Sequence, residues 1–180
     1  PTAVKNLDII PSELDLAGAE IDVARTDNYL HCLQNALEPV VAAGKYDFVF
    51  IDCPPSLGVL TMNALTAADS VIVPIQCEFF ALEGLSVISR LIERLSGRSA
   101  RPDLEIEGIV MTMYDARTRL ASQVVDEVKK YFAGKVYTTV IPRSVRLSEA
   151  PSFGKPITAY DRGSTGAKAY VALAGEFLKR

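Results

Sequence analysis

Apolar runs rich in β-branched residues alternate along the chain with segments whose apolar residues recur at helical spacing. The runs predict strands at Leu7–Pro11, Phe48–Cys53, Ser70–Ile75, Ile106–Met113 and Val136–Ile141. Runs such as Phe48–Cys53 are apolar on both faces, and both faces must therefore be covered by other elements. This requirement predicts a parallel sheet enclosed between layers of helices.

The segments between the runs supply those helices. The stripe Leu120, Val124, Val128 and Phe132 is typical of one buried helical face, and Gly44 marks a natural helix end. Strand–helix alternation of this kind predicts an α/β fold, a doubly wound and mostly parallel sheet with helices on both faces. Helices are predicted over about 12–23, 30–43, 56–68, 85–97, 120–132 and 167–178, with a polar loop at 96–103 and a loop-rich segment at 143–165.

Composition agrees with one domain spanning residues 1–180. The chain has 180 residues, 49% hydrophobic and 23% charged, which is ordinary for a globular domain and excludes a disordered or coiled-coil chain. Its three cysteines are more than twenty residues apart and its only histidine is His31, a pattern that argues against a zinc site.

Charge is distributed unevenly. Residues 1–110 carry 7 Lys and Arg against 16 Asp and Glu, a balance of −9, whereas residues 111–180 carry 12 against 6, a balance of +6. The overall net charge of −3 alone argues against a nucleic-acid partner. The asymmetry instead predicts an acidic half and a basic face with different roles.

Ligands of an open α/β sheet bind beyond the carboxyl ends of its strands, so the polar residues there are the candidates. The predicted strand-end groups are Asp52–Ser56, Gln76–Phe80, Thr112–Asp115 and Pro142–Arg146. Asp52 ends an apolar run in the manner of a Walker B aspartate, which helps to hold the Mg²⁺ that bridges nucleotide phosphates. An aspartate at this point is also common as a turn former or helix cap. Four arginines follow two further strands, and ordinary surface arginines are the alternative interpretation. They are Arg117, Arg119, Arg143 and Arg146.

Longer strings carry a resemblance to a known family. YDFVFIDCPPSLGVLTMNAL, ADSVIVPIQCEFFALEGL, GIVMTMYDART and VIPRSVRLSEAPSFGKPITAYD occur in this order over nearly the whole chain. Together they resemble the ParA/Soj chromosome- and plasmid-partition ATPases, which are related to MinD. The resemblance implies a P-loop NTPase fold, an ATPase (ATP hydrolase) and the cofactors ATP and Mg²⁺.

The resemblance also implies roles for residues around the nucleotide. Asp52 matches the Walker B aspartate and becomes the catalytic and metal-binding candidate, holding Mg²⁺ directly or through water. Glu78 matches an acidic residue near the nucleotide at the interface of the family's sandwich dimer. Met113, Pro142 and Arg143 match the segments that cradle adenine.

Further positions are implied in DNA binding. Arg117 and Arg146 match residues that bind DNA without regard to sequence, and Arg119 stands where relatives often have asparagine. Ser144 likewise replaces a frequent asparagine beside the adenine. Both positions depart from the pattern of the family, one at the DNA-binding residues and one beside the adenine.

One family motif is missing from the 180 residues. No G-x-x-x-x-G-K-[ST] pattern occurs, so the Walker A loop, with its phosphate-binding amides and lysine, has no counterpart. We therefore expect the chain to be the C-terminal portion of such an ATPase, lacking the N-terminal strand and P-loop, and to be inactive by itself. In the family that strand lies inside the sheet rather than at its edge.

The implied partners are a second copy of the chain in a homodimer, non-specific DNA and a ParB-type centromere-binding protein. The implied location is the cytoplasm, in association with the nucleoid, without stable membrane association. Two alternatives remain open. One is a MinD-like ATPase that cycles on membranes through a C-terminal amphipathic helix, although the end of this chain carries few basic residues. The other is a DNA- or partner-binding module that lacks the loop altogether.

Overall fold

A computed structural model describes residues 1–97 and 103–180, and most of the predicted loop at 96–103 lies outside these ranges. The described chain divides into two compact units, Pro1–Ala68 and Asp69–Arg180. The first unit is helical, and the second combines strands and helices. The helices are α1 (Asp15–Val23), α2 (Cys32–Ala42), α3 (Val59–Ala67), α4 (Ala81–Gly97), α5 (Arg119–Tyr131), α6 (Val145–Glu149), α7 (Ile157–Tyr160) and α8 (Thr165–Phe177), with 3₁₀ turns at Tyr29–His31 and Ala150–Phe153.

The sheet of the second unit is parallel. Strand β1 (Ser70–Gln76) pairs with β2 (Glu105–Thr112) along its whole length, with one irregularity between Val71 and Ile72. The predictions of strands at Ser70–Ile75 and Ile106–Met113 are therefore confirmed. Helix α4 connects the two strands, as a parallel connection requires.

The third predicted strand of this unit forms only in part. Residues 135–143 run parallel to β2 along its other edge, with Tyr137 N donating to Ile109 O at 2.9 Å and Ile141 N to Met111 O at 2.8 Å. Only isolated bridges are formed, so the prediction of a regular strand at Val136–Ile141 is wrong. The amides of Thr138 and Thr139 donate to the Glu176 carboxylate of α8, at 2.6 and 2.9 Å. The Glu176 carboxylate thus accepts hydrogen bonds from amides that would donate to backbone carbonyls in a regular ladder.

Helices cover both faces of the sheet, which confirms the predicted α/β class. On one face Leu85 of α4 and Val128 of α5 pack with Ile109 and Met111, and all four are fully buried. On the other face Val110 packs with Tyr137 and Ile141, and α8 lies against them. Residues 108–111 of β2 are buried without exception, as the unbroken apolar run requires.

The first unit is organised around one buried amide. Asn63 of α3 is 3% exposed, its Nδ2 donates to Tyr29 O at 2.8 Å and to Val59 O at 3.0 Å, and its Oδ1 accepts from Leu33 N at 3.1 Å. A buried amide with all these partners stabilises the packing of α3 against the turn that precedes α2. The predicted helices of this unit are confirmed, with α3 beginning at Val59 rather than near Ser56.

Two predicted strands of the first unit are not formed. No strand is assigned to 7–11 or 48–53, and Ile10 and Phe50 are 80% and 72% exposed. The predictions of strands at Leu7–Pro11 and Phe48–Cys53 are therefore wrong. A strand depends on a ladder to a neighbour as much as on its own pattern, and the sheet in the described part of the chain consists of β1 and β2.

Tyr137 is the largest fully buried side chain of the second unit. Its ring lies where a side chain on Gly108 of β2 would clash with it, so this position requires glycine. The Tyr137 hydroxyl donates to Glu107 at 3.2 Å, and the Arg180 guanidinium lies 3.9 Å from the centre of the ring. Burial, together with the charge of Glu107, raises the pKa of Tyr137 to about 12.

This pKa predicts a loss of stability at alkaline pH. An unfolded tyrosine ionises near pH 10, so between about pH 10 and pH 12 the unfolded chain binds fewer protons than the folded one. The contribution of Tyr137 to the free energy of unfolding is complete below that window and falls as pH rises through it. Urea unfolding of the complete gene product should show a smaller alkaline loss in Tyr137→Phe. The control Tyr131→Phe, which removes an exposed tyrosine, should behave as wild type, and equal losses in all three proteins would contradict the prediction.

Candidate functional site

The carboxyl ends of the parallel segments meet at one edge of the second unit. Cys77 N, just after β1, donates to Thr112 O at 2.9 Å, which joins the ends of β1 and β2. Tyr114 N donates to Ile141 O at 3.1 Å, and Arg143 N donates to Tyr114 O at 2.9 Å. Three of the predicted strand-end groups are therefore adjacent in space. They are Gln76–Phe80, Thr112–Asp115 and Pro142–Arg146.

Met113 has an unusual backbone at this edge. Its φ is +54°, in the left-handed region that non-glycine residues rarely adopt. The next residue, Tyr114, forms a parallel bridge with Pro142. The left-handed turn at Met113 thus places Tyr114 beside the segment that carries Pro142 and Arg143. Backbone strain of this kind is concentrated at functional sites.

An ion pair joins two of the predicted nucleotide-site residues. Arg143 Nη2 donates to Glu78 Oε1 at 3.1 Å, and both side chains are about half exposed, at 52% and 57%. An ion pair in this environment contributes at most about 1 kcal/mol to stability. The pair can therefore open when another charged group competes for either partner.

Arg117 is bound by the aspartate two residues before it. Asp115 Oδ1 accepts from Arg117 N at 3.0 Å and from Arg117 Nε at 2.9 Å, and Asp115 Oδ2 accepts from Nη2 at 2.7 Å. The guanidinium and the backbone amide of Arg117 hold the pKa of Asp115 well below its usual range. The Arg117 side chain nevertheless stays 86% exposed, so most of it faces solvent.

Arg146 lies between two acidic residues. Its Nη1 donates to Glu149 Oε2 at 3.0 Å, and its Nε is 3.6 Å from Asp161 Oδ2. Arg119, the first residue of α5, is exposed and forms no ion pair with any residue in 1–97 or 103–180. The arginines predicted to bind DNA are thus accessible, but carboxylates offset much of the charge of Arg117 and Arg146.

Arg117 and Arg143 border an open cavity of about 310 Å³. It contains two guanidinium groups, a carboxylate, an aromatic ring and a proline, and so offers polar and flat apolar surfaces together. The lining residues are Tyr114, Asp115, Ala116, Arg117, Pro142 and Arg143.

Asp52 lies in the first unit, in an irregular segment that leads through Cys53, Pro54 and Pro55 to α3, and its side chain is exposed. Burial, and secondly the charge of Asp52, raises the pKa of the Cys53 thiol. Protein sites commonly hold Mg²⁺ through one or two carboxylates, the remaining ligands being water and phosphate oxygens. An accessible single carboxylate fits that requirement.

Glu20 fixes the far end of the Asp52 segment, which the sequence did not reveal. Its Oε1 accepts from Val59 N at 2.7 Å, at the start of α3, and a Cβ on Gly58 would collide with the same oxygen. Gly58 has no side-chain oxygen, so the first amides of α3 need an acceptor from elsewhere in the chain. The glycine at the helix start is the sequence signal for such an acceptor, but it does not identify Glu20.

The chain is similar to proteins of one known family. Residues 1–106 match the family described as an AAA domain. The chain is 57% identical over 175 residues to the sporulation initiation inhibitor protein Soj of Bacillus subtilis, covering 97% of this chain and 68% of that protein. It is 54% identical over 179 residues to the chromosome partitioning protein ParA of Caulobacter vibrioides, covering 99% and 67%. The chain belongs to the ParA/Soj family of chromosome-partitioning proteins.

Solved structures support the P-loop NTPase fold. Cobyrinic acid a,c-diamide synthase of Mycobacterium smegmatis superposes with a TM-score of 0.76 at 37% identity, covering 94% of this chain and 61% of that one. The same synthase has been crystallised with bound ADP and magnesium; in that crystal the TM-score is 0.66 at 41% identity, with 74% and 54% of the two chains covered. The chain thus spans about two thirds of the length of the curated relatives and 54–61% of the synthase chains.

The family assignment leaves the roles of individual residues as predictions. The structure brings Glu78, Met113, Pro142 and Arg143 to one edge of the second unit, with Arg117 on the same cavity. Asp52 belongs to the other unit and is described separately.

Proposed function

We propose that the complete gene product is an ATP-hydrolysing chromosome or plasmid partitioning protein. The observation that carries this proposal is the 54–57% identity, over nearly the whole chain, to proteins named for chromosome partitioning and for Soj. ATP closes a homodimer, the dimer binds DNA regardless of sequence, and a ParB-type partner stimulates hydrolysis and release. The protein then resides in the cytoplasm on the nucleoid.

The roles at the nucleotide are proposed for each unit by itself. Asp52 holds Mg²⁺, which when bound neutralises charge on the nucleotide phosphates. Pro142 and Met113 contact the adenine, a role supported by the bridge between Tyr114 and Pro142 and by the left-handed turn at Met113. Arg143 binds the nucleotide from the same edge. Its ion pair with Glu78 keeps an acidic group near the proposed nucleotide position.

DNA binding in this proposal rests on phosphate contacts from Arg117, Arg119 and Arg146. The side chains of Arg117 and Arg146 are 86% and 58% exposed, so a duplex can reach them. Contacts to phosphates carry no sequence information directly, so the binding is indifferent to sequence. A homodimer doubles the number of such contacts.

Replacing Asp52 tests the ATPase proposal. Asp52→Ala removes the carboxylate assigned to Mg²⁺ and should lower ATP turnover of the complete gene product by orders of magnitude, because the metal's charge stabilisation is lost. Turnover is measured by phosphate release at saturating ATP and Mg²⁺, with folding checked by circular dichroism.

The matched control is Asp47→Ala, which removes another exposed carboxylate from the same segment. This control should retain wild-type turnover. Wild-type turnover in Asp52→Ala would reduce Asp52 to a turn residue and contradict its assigned role.

Charge reversal tests the DNA proposal. The double variant Arg117→Glu/Arg146→Glu should abolish binding of a mixed-sequence duplex by the ATP-bound protein, yet spare nucleotide binding. With about four to six phosphate contacts, the wild-type log affinity should fall against log salt with a slope of roughly −4 to −5. Fluorescence anisotropy across a salt series measures both quantities.

Lys129→Glu/Lys130→Glu serves as the control because it makes the same charge change on exposed residues in the last turn of α5. It should weaken binding far less. Equal losses in the two double variants would mean that binding follows total charge and not the arginines. A wild-type affinity in the arginine variant would remove them from the DNA interface.

A further inference from the structure

The contact between Asp115 and Arg117 is more specific than a surface ion pair. A guanidinium group is planar and has two edges that can donate a pair of parallel hydrogen bonds, a side edge at Nε and Nη2 and an end edge at Nη1 and Nη2. Asp115 takes the side edge, at 2.9 and 2.7 Å, and also accepts from the backbone amide of Arg117 at 3.0 Å. Because Nε and Nη2 are both held by Asp115, the plane of the Arg117 guanidinium is fixed.

The end edge of Arg117 stays available. The side chain is 86% exposed, and no residue in the described part of the chain accepts a hydrogen bond from Nη1 of Arg117. Arg146 differs, because its Nη1 already donates to Glu149 and its Nε faces Asp161. Of these two arginines, Arg117 is therefore the one that presents a complete end edge to solvent.

The aspartate is itself held in place. Its side chain is 20% exposed, and its main-chain oxygen accepts from Thr118 N and Thr118 Oγ1, both at 3.0 Å. Thr118 in turn caps α5, with its side-chain oxygen accepting from Ala121 N. The orientation of Arg117 is thus fixed to a regular element of the fold through Asp115.

We infer that Asp115 is a positioning residue that holds the end edge of Arg117 toward a phosphodiester of DNA. A phosphate accepts two parallel hydrogen bonds from such an edge, and an arginine that is already oriented loses less side-chain entropy on binding. The inference rests on the proposed function, since it presumes that Arg117 contacts DNA. Asp115 does not touch the phosphate itself.

Two substitutions at Asp115 separate positioning from charge. Asp115→Asn and Asp115→Ala both remove one negative charge, so the change in attraction to DNA is common to them. Asparagine keeps an oxygen that can accept from Arg117 N and Nε, whereas alanine keeps none. We expect the Asn variant of the complete, ATP-bound protein to bind a mixed-sequence duplex about two- to tenfold more tightly than the Ala variant, the range of one hydrogen bond.

The same two substitutions at Asp115 are then compared in an Arg117→Ala background. The difference in DNA affinity between them depends on Arg117 only if Asp115 acts by positioning that side chain. Without Arg117 there is no side chain to position, so Asp115→Asn and Asp115→Ala should then bind DNA equally. Equal affinities of the two variants with Arg117 present would overturn the positioning role. A difference that persists without Arg117 would overturn it as well, because it would reflect a general effect on the loop.

Failure of the proposed function gives a different pattern. If Arg117→Ala alone binds the duplex as tightly as wild type, Arg117 has no part in DNA binding and the positioning role fails with it. If Arg117→Ala weakens binding while Asp115→Asn and Asp115→Ala are equal, only the positioning role fails. Anisotropy titrations at one salt concentration, with thermal unfolding of each variant, distinguish these outcomes.

Discussion

A strand that is buried on both faces can offer polar side chains only at its ends, and β2 is such a strand. Residues 108–111 pack against α4 and α5 on one face and toward α8 on the other, so no ligand-binding group can lie along them. Parallel pairing then places the end of β1 and the segment 141–143 beside the end of β2. The turn at Met113, the Glu78–Arg143 pair and the Asp115–Arg117 contact all depend on this arrangement.

Two strands that the sequence predicted, β1 and β2, form with regular pairing. Helix α4 lies between them along the chain, and the unbroken apolar run of β2 agrees with the burial of residues 108–111. Phe48–Cys53 has an equally apolar pattern but forms no strand, because such a pattern indicates burial and not which segment supplies the ladder. The prediction of one domain over residues 1–180 stays a prediction, and the two compact units are a property of the described residues.

The candidate site contains contacts between residues that are close in the sequence and contacts between residues that are far apart. Strand-end positions identified three groups of residues that the structure brings together, since the rule needs only the order of strands. The contact between Asp115 and Arg117 joins residues that are two apart in the sequence, so it is a local relation. The contact of Glu20 with the start of α3 spans 39 residues and the pair Glu78–Arg143 spans 65, so neither could be read from local pattern. The left-handed backbone of Met113 has no sequence signal at all, because methionine does not favour it.

The balance of +6 after residue 110 overstates the field that DNA would meet at this edge. Arg117 and Arg146 each have a carboxylate within 3.0 Å, so at distances beyond a Debye length the pairs contribute little attraction. At contact distance the situation is different. An exposed ion pair contributes at most about 1 kcal/mol, and the carboxylate of Asp115 lies behind the guanidinium rather than on its free edge. Under the proposed function, affinity for DNA therefore comes from short-range hydrogen bonds to phosphates and from their duplication in a dimer, more than from long-range attraction.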